Sequence, residues 1–331
     1  MTDTYDIIAI GNAIVDVLAS TDDAFLASEA LPKGSMRLID ADRATDLYGK
    51  MGVGREISGG SAANTLAGAA VLGARCGFIG QVAADQLGDV FSHDIRAQGV
   101  AFDTPVRADT TVPTARCLIL VSEDGQRTMN TYLGAAQFLP ADAVEEPMVA
   151  GAKVLLLEGY LWDPLEPREA MKRAIRMARA AGRTIALGVS AVFCIANHRD
   201  DFLKLLDDGD IDILFANDEE VLALAGLDDF DAAVAAIAPR VKILVATRGA
   251  DGAIAVSGGE TATVPAEPIA KIVDTTGAGD LFSAGFLVGH VQGRGLTDCL
   301  TMGAIAAAEV ISHWGARPEA DIKALVAARL G

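Results

Sequence analysis

The chain has 331 residues, about half of them apolar, and a formal net charge of −18, so it can bury a sizeable core while repelling nucleic acid and anionic membrane surfaces. On such a chain a phosphate site must be built locally, from backbone N–H groups at a helix start or from a bound cation, rather than from a broad basic patch. The four cysteines, Cys76, Cys117, Cys194 and Cys299, lie far apart with no C-x-x-C and no His cluster beside them. This pattern reads as reduced thiols in a cytoplasmic protein. No signal peptide precedes the first strand and apolar runs break well before ~18 residues, so no transmembrane helix is expected.

Tyr5 to Ile10 reads as a buried strand ending at Gly11-Asn12. Between 31 and 58, Gly, Pro and charged residues punctuate short segments such as Ser35 to Ile39, which predicts exposed strands with one helix near Ala41 to Met51. A helical pattern runs from Ala62 through Ala74, followed by a short buried strand at Cys76 to Gln81 and a helix at Asp85 to Gln98. Residues 101–135 read as strands again, with Ala115 to Ser122 and Arg127 to Leu133 flanking a hairpin turn at Asp124-Gly125. The order then becomes regular. Strands at 153–158, 184–189 and 211–216 are followed by helices at 166–181, 198–207 and 218–225. A helix at 230–237 leads to strands at 241–246, 252–257 and 260–264, then to helices at 278–292, 296–312 and 319–329. Such alternation implies a mainly parallel sheet with helices on both faces, a three-layer α/β/α sandwich. The strand-only stretches do not fit it, and are expected to leave the main sheet as a small second sheet.

The strongest chemical signal is Asp274-Thr275-Thr276-Gly277-Ala278-Gly279-Asp280. Gly277 and Gly279 let a ligand approach the backbone, and the helix that follows offers free N–H groups and the positive end of its dipole. Asp280, in the first turn, is placed to take a proton from an attacking hydroxyl. The same dipole predicts a lowered carboxylate pKa, hence a weak base, which a loose phosphoryl-transfer transition state tolerates. Taken alone, the string reads more readily as an Asp-rich turn capping a helix than as a catalytic site.

It does not stand alone. Asp274 to Asp280 resembles the signature of the ribokinase-like (PfkB) carbohydrate and nucleoside kinase family. Gly59-Gly60-Ser61-Ala62-Ala63-Asn64 resembles its di-glycine motif, Asn217-Asp218-Glu219-Glu220 its N-x-x-E motif, and Gly315-Ala316-Arg317-Pro318 its loop before the last helix. The matches fall in family order along nearly the whole chain, which implies one ribokinase-like kinase domain over 1–331 with a β-sheet lid built from about 12–18, 31–58 and 101–135. The resemblance implies ATP- and Mg²⁺-dependent transfer to a primary hydroxyl, with Asp280 as base and Gly277, Ala278 and Gly279 lining an anion hole. It places Asn217, Thr247, Gly249, Thr276, Ala307 and His313 at the nucleotide, and Glu220 in the Mg²⁺ shell through water, with Glu219 the competing acid. Asp274 and Thr276 match positions that hold K⁺ in some members.

For the acceptor, the resemblance implies Asp16 and Asn64 gripping adjacent hydroxyls, with Gly59, Gly60 and Ser61 beside them. Gly11-Asn12, Ser61 and Thr131-Tyr132-Leu133-Gly134-Ala135 resemble the adenosine kinase branch, which adds Asn12, Leu133 and Gly134 to the acceptor site. Ala62-Ala63 depart from the polar pair of eukaryotic adenosine kinases. The acceptor is expected to be a purine nucleoside, or otherwise a simple sugar, and the protein a monomer or homodimer. Gly59-Gly60-Ser61 also partly resembles a hydrolase nucleophile elbow with His290 or His313 as base, but residue 63 is Ala, and Arg55-Glu56 stand where a buried strand is required.

Overall fold

The computed structural model describes residues 4–109 and 111–331. Among them fourteen strands occur in chain order: β1 (Tyr5–Ile10), β2 (Ile14–Ser20), β3 (Met36–Leu38), β4 (Gly54–Gly59), β5 (Cys76–Ile79), β6 (Val100–Phe102), β7 (Ala115–Val121), β8 (Arg127–Tyr132), β9 (Ala152–Glu158), β10 (Thr184–Gly188), β11 (Ile213–Asn217), β12 (Ile243–Thr247), β13 (Ala253–Ser257) and β14 (Glu260–Val264). Nine form one sheet in the order β14-β13-β12-β11-β10-β9-β1-β5-β6, and five form a second in the order β3-β8-β7-β2-β4.

The large sheet is parallel from β12 through β6, with β13 and β14 added antiparallel at one edge. Its central strands are continuous apolar runs because both faces are covered. In β1, Ile7 and Ala9 join a core containing the helices Ser61–Val71, Ala278–Val291 and Leu296–Val310, while Ile8 and Ile10 join one containing Leu165–Ala180, Val192–Asp207 and Asp218–Ala225. Each such Ile or Leu removed from water contributes roughly 1.5–3 kcal/mol. The small residues have a place in this packing. A Cβ on Gly285 would lie 2.4 Å from the carbonyl oxygen of Met302, so the last long helix pair can approach this closely only with glycine there.

The small sheet has the expected origin. β2 lies between β4 (antiparallel) and β7 (parallel), and the β7–β8 hairpin turns at Asp124-Gly125. Its outer face is covered by the helix Ala41–Lys50, through Ala44 and Leu47.

Three elements differ from expectation. Val100–Phe102 belongs to the large sheet rather than the lid, because Val100 and Phe102 are buried and Phe102 packs on Phe78 and Phe91. The helix expected from 198 begins at Val192 and kinks at His198, where φ/ψ is −134°/22°. A short helix, Asp23–Ser28, capped by the Asp22 side chain, lies in a stretch that carried no strong periodicity.

Candidate active site

A cavity of about 200 Å³ opens at the carboxyl ends of four adjacent strands. Glu158 closes β9, Gly188 closes β10, Asn217 closes β11 and Thr247 closes β12, and all four line it. Ser61, from the start of one helix, and Gly279 and Asp280, from the start of another, line it from the facing side. Ligands of open parallel sheets bind in this crevice, because helix N-termini converge there.

Asp280 is held from two directions. Its Oδ1 accepts from Ser61 Oγ at 2.6 Å and its Oδ2 from Asn64 Nδ2 at 2.9 Å. Ser61 and Asn64 are three residues apart on one helix and so share a face. Burial raises the Asp280 pKa, against the lowering effect of the two hydrogen bonds and of Arg317. The lowering expected from the helix dipole is therefore overridden: the side chain is half-open to the cleft, but protein surrounds its carboxylate and desolvation wins. Gly277, at φ 80°, caps this helix, and a Cβ there would lie 2.6 Å from that of Ala316. The Ala278 N–H makes a long turn bond to the Thr275 carbonyl (3.3 Å), which leaves Gly279 and Asp280 as the members of the loop that face the cavity.

The turn that delivers Ser61 is fixed from below. Gly60 has φ 95°, and any Cβ would fall 2.2 Å from the Asn12 carbonyl oxygen. Glu158 accepts from the Ala62 N–H at 3.0 Å and from Asn12 Nδ2 at 2.6 Å. Burial pushes the Glu158 pKa up to about 7. Asn12 is thus turned inward to Glu158 and buried, rather than presented to the cleft.

Asp16 lies mid-strand in the lid, with Ile57 and Cys117 opposite it on the neighbouring strands. Gly59 leaves room for its carboxylate, since a Cβ there would sit 2.3 Å from Asp16 Oδ2. Asp16 has no hydrogen-bond partner among the described residues. Desolvation raises its pKa to about 7, opposed by Arg317 and Arg127 and reinforced by Asp280 and Asp274. Arg317 is anchored by the carbonyls of Ala63 (3.0 Å) and Ser58 (2.6 Å) and by Ser58 Oγ (2.9 Å). Asn64 Oδ1 is buried with no partner, an acceptor facing this same group of residues.

The sequence profile of the pfkB family carbohydrate kinases matches residues 35–323. The chain belongs to this family. A crystal structure of adenosine kinase from Sinorhizobium meliloti is 48% identical and superposes with a TM-score of 0.90, covering 98% of each chain. A structure described as a probable sugar kinase from Rhizobium etli is 47% identical with a TM-score of 0.91 over 99% of each chain. The adenosine kinase of Saccharomyces cerevisiae is 29% identical, covering 94% of this chain and 96% of its own. The protein is a ribokinase-like, adenosine kinase-like phosphotransferase.

ATP and, generally, Mg²⁺ serve kinases of this family. The residues of this kinase fit a hydrated Mg²⁺. Asn217 and Glu220 form a reciprocal capping box in which Glu220 Oε2 accepts from the Asn217 N–H at 2.9 Å, leaving its other oxygen for the cavity. Glu219 is exposed and does not line the cavity, so Glu220 is the acid that faces it. Mg²⁺ keeps most of its waters and needs few carboxylates.

K⁺ fits less well at Asp274 and Thr276. Asp274 Oδ1 accepts from the Thr276 N–H (3.1 Å), while Oδ2 accepts from the Gly315 N–H (2.9 Å) and meets the guanidinium of Arg127 at 2.5 Å.

Other expected residues lie outside the cavity lining. Gly249 opens a short 3₁₀ turn, and Arg248 stacks on Phe230 at 4.4 Å rather than facing the cavity. Ala307 packs into the core from the helix Leu296–Val310, and His313 Nε2 is bonded to Glu309 Oε1 at 3.1 Å. Leu133 is half-buried, and Gly134 begins a 3₁₀ turn beneath Pro113. Ser61 donates to a carboxylate rather than to a histidine, which removes the hydrolase reading.

Four residues of the site escape the motif reading. Glu158 carries a signal, a lone acid ending a fully apolar strand. Arg127, Tyr160 and Phe193 carry none, because only the fold brings them near the cleft.

Proposed function

We propose that this kinase transfers the γ-phosphoryl group of ATP to the 5′-hydroxyl of adenosine or a related purine nucleoside, within a single domain whose second sheet is the lid. The observation that carries the nucleoside is the ring pair Tyr160–Phe193, with centroids 5.8 Å apart. Tyr160 follows Glu158 by two residues, Phe193 follows the cavity residue Ser190 by three, and the Tyr160 phenol is pushed up by burial and by the charges of Glu158, Asp280 and Glu220. Phe193 is 47% exposed. A nucleobase stacks its whole flat face on such an aromatic platform, whereas a small polyol covers only part of it. The lid face around Asp16 is also apolar, through Ile14, Leu18, Ile119 and Met129, which suits a flat ring better than a polyol.

In this reading Asp16 accepts hydrogen bonds from the two ribose hydroxyls, and Asn64 Oδ1 takes a third. The 5′-hydroxyl then faces Asp280, which takes its proton as the O–P bond forms and the bond to ADP breaks. Burial makes Asp280 a stronger base than a free carboxylate, and Ser61 and Asn64 fix its orientation. The N–H groups of Gly279 and Asp280, with the helix dipole, receive the charge on the moving phosphoryl group. Asn217 and Glu220 would hold a hydrated Mg²⁺, which would supply positive charge to neutralise the phosphates. Lid closure excludes water that would otherwise hydrolyse ATP.

The Rhizobium structure described as a probable sugar kinase supports a second reading, a sugar acceptor. One screen separates the two: coupled ADP release with adenosine, inosine, guanosine, ribose, fructose and 2-keto-3-deoxygluconate. Adenosine or another purine nucleoside is expected to give the highest kcat/KM. A simple sugar ahead of every nucleoside would sink the nucleoside assignment.

A further inference from the structure

Arg127 is the first residue of β8, on the lid hairpin, yet its guanidinium reaches the main body. Its Nη2 lies 2.5 Å from Asp274 Oδ2, and the two side chains are only 9% and 5% exposed. The guanidinium also lies over the Trp314 ring, 5.6 Å from its centroid. Asp274 in turn fixes two backbone segments, through the N–H of Thr276 at 3.1 Å, one residue before the helix-capping Gly277, and the N–H of Gly315 at 2.9 Å, two residues before Arg317. One carboxylate thus ties the phosphate-facing loop to the loop that delivers Arg317, and its counter-charge comes from the lid. The other charged group facing Arg127 is Asp16.

We propose that the Arg127 guanidinium takes the role of a monovalent cation at Asp274, so that the small sheet itself completes the phosphate-facing loop and the enzyme needs no K⁺. A monovalent ion bound to the same carboxylate would sit within a few ångströms of a buried guanidinium, where like charges repel strongly. The ion also needs several oxygen ligands, and here each Asp274 oxygen already accepts from a backbone N–H while Oδ2 also faces Arg127. Arg127 is therefore a positioning residue, acting through Asp274 and not on the reacting atoms. The inference rests on the kinase activity but not on which acceptor is used, so it survives if the acceptor proves to be a sugar.

The test begins with the unaltered enzyme, assayed with its best acceptor at a constant ionic strength of about 0.1 M in K⁺, Na⁺ or choline chloride. Rates within about twofold of one another are expected, because the screening is the same in all three. Activation by K⁺ of about tenfold over choline would overturn the proposal, since that is the worth of a charge-assisted contact. Arg127→Ala then uncovers Asp274. Its kcat is expected to fall at least ~10-fold, with partial recovery when guanidinium or K⁺ is added at low millimolar levels. Unchanged kcat in a folded Arg127→Ala protein, or a loss that neither cation relieves, would reduce Arg127 to ordinary packing. Asp274→Asn on the Arg127→Ala background should abolish the cation rescue, and rescue that persists there counts equally against the proposal.

Discussion

The two sheets of this kinase present their functional groups in different ways. The large sheet offers them at strand ends: Glu158, Asn217 and Thr247 finish strands that lie side by side, and Asp280 starts a helix packed on the same sheet. Each of its two central acids is held by protein donors, Asp280 by two side chains and Glu158 by Asn12 and the Ala62 N–H. The small sheet offers Asp16 from the middle of a strand, half-buried and raised in pKa, with no protein donor to its carboxylate among the described residues. A carboxylate kept in that state gains most from a ligand that brings its own hydroxyls. On the proposed function, the large-sheet side is pre-arranged for the phosphoryl group and the small sheet waits for the acceptor. Substitutions in the two regions should therefore fail differently.

The largest effect is expected in the body. Asp280→Asn keeps the shape and removes the proposed base. Phosphotransfer should fall by ~10²–10⁴-fold while the ATP dissociation constant stays near that of the parent, because Asp280 meets the acceptor rather than the adenine. Stopped-time product analysis with equilibrium nucleotide binding measures both. Turnover above about a tenth of the parent would remove Asp280 from the proton-transfer role.

These body residues are also where the amino-acid sequence is most readable. Asp280, Asn217, Glu220 and the Gly59-Gly60-Ser61 turn sit at element boundaries, where Gly, capping residues and isolated acids break an apolar pattern, and a boundary leaves a local signature. The alternation of strands and helices after residue 150 is legible for the same reason, since the period changes at each boundary. The small sheet is less legible because its strands come from distant segments and β3 is only three residues long. Nothing local distinguishes β6, which joins the large sheet, from β7, which does not. The direction of the Asp280 shift was also hidden. A helix start predicts a lower value, and only tertiary burial reverses it.

In the lid, Asp16→Ala should act on the acceptor and spare the donor. Losing two hydrogen bonds to a charged group raises the acceptor KM by ~10²-fold or more, with the ATP KM unchanged. Because the folded Asp16 titrates near 7, its ionised form grows as pH rises through that value. The acceptor KM of the parent should therefore fall with rising pH across this range. Asp16→Asn should show no such slope, and an equal slope in the variant would detach the titration from Asp16.

A smaller effect is expected from the rings that follow β9 and β10. Replacing Tyr160 and Phe193 together by Ala should raise the nucleoside KM by ~10-fold, the usual worth of a stacked base, and leave any ribose turnover unaltered. An equal loss on nucleoside and ribose would show that the ring pair supports the fold rather than a base.

The least effect on turnover, and the clearest on stability, belongs to Glu158. Its folded pKa is about 7, against 4.5 for a free side chain. Between those values the folded protein binds more protons than the unfolded one, so its stability falls as pH rises through the window. Glu158→Gln stays neutral and can still bond to Asn12 and the Ala62 N–H. It should flatten that fall by on the order of 1 kcal/mol, seen as a smaller difference in urea unfolding between about pH 5 and about pH 8. Asp16, Asp280 and Glu220 are raised in the same direction, so some slope remains in the Glu158→Gln protein and should lessen further when Asp16→Asn is added. If Glu158→Gln instead unfolds equally at both pH values below the parent, the carboxylate is held ionised by Asn12 and the Ala62 N–H, and the body pre-arranges a charge rather than a neutral acid.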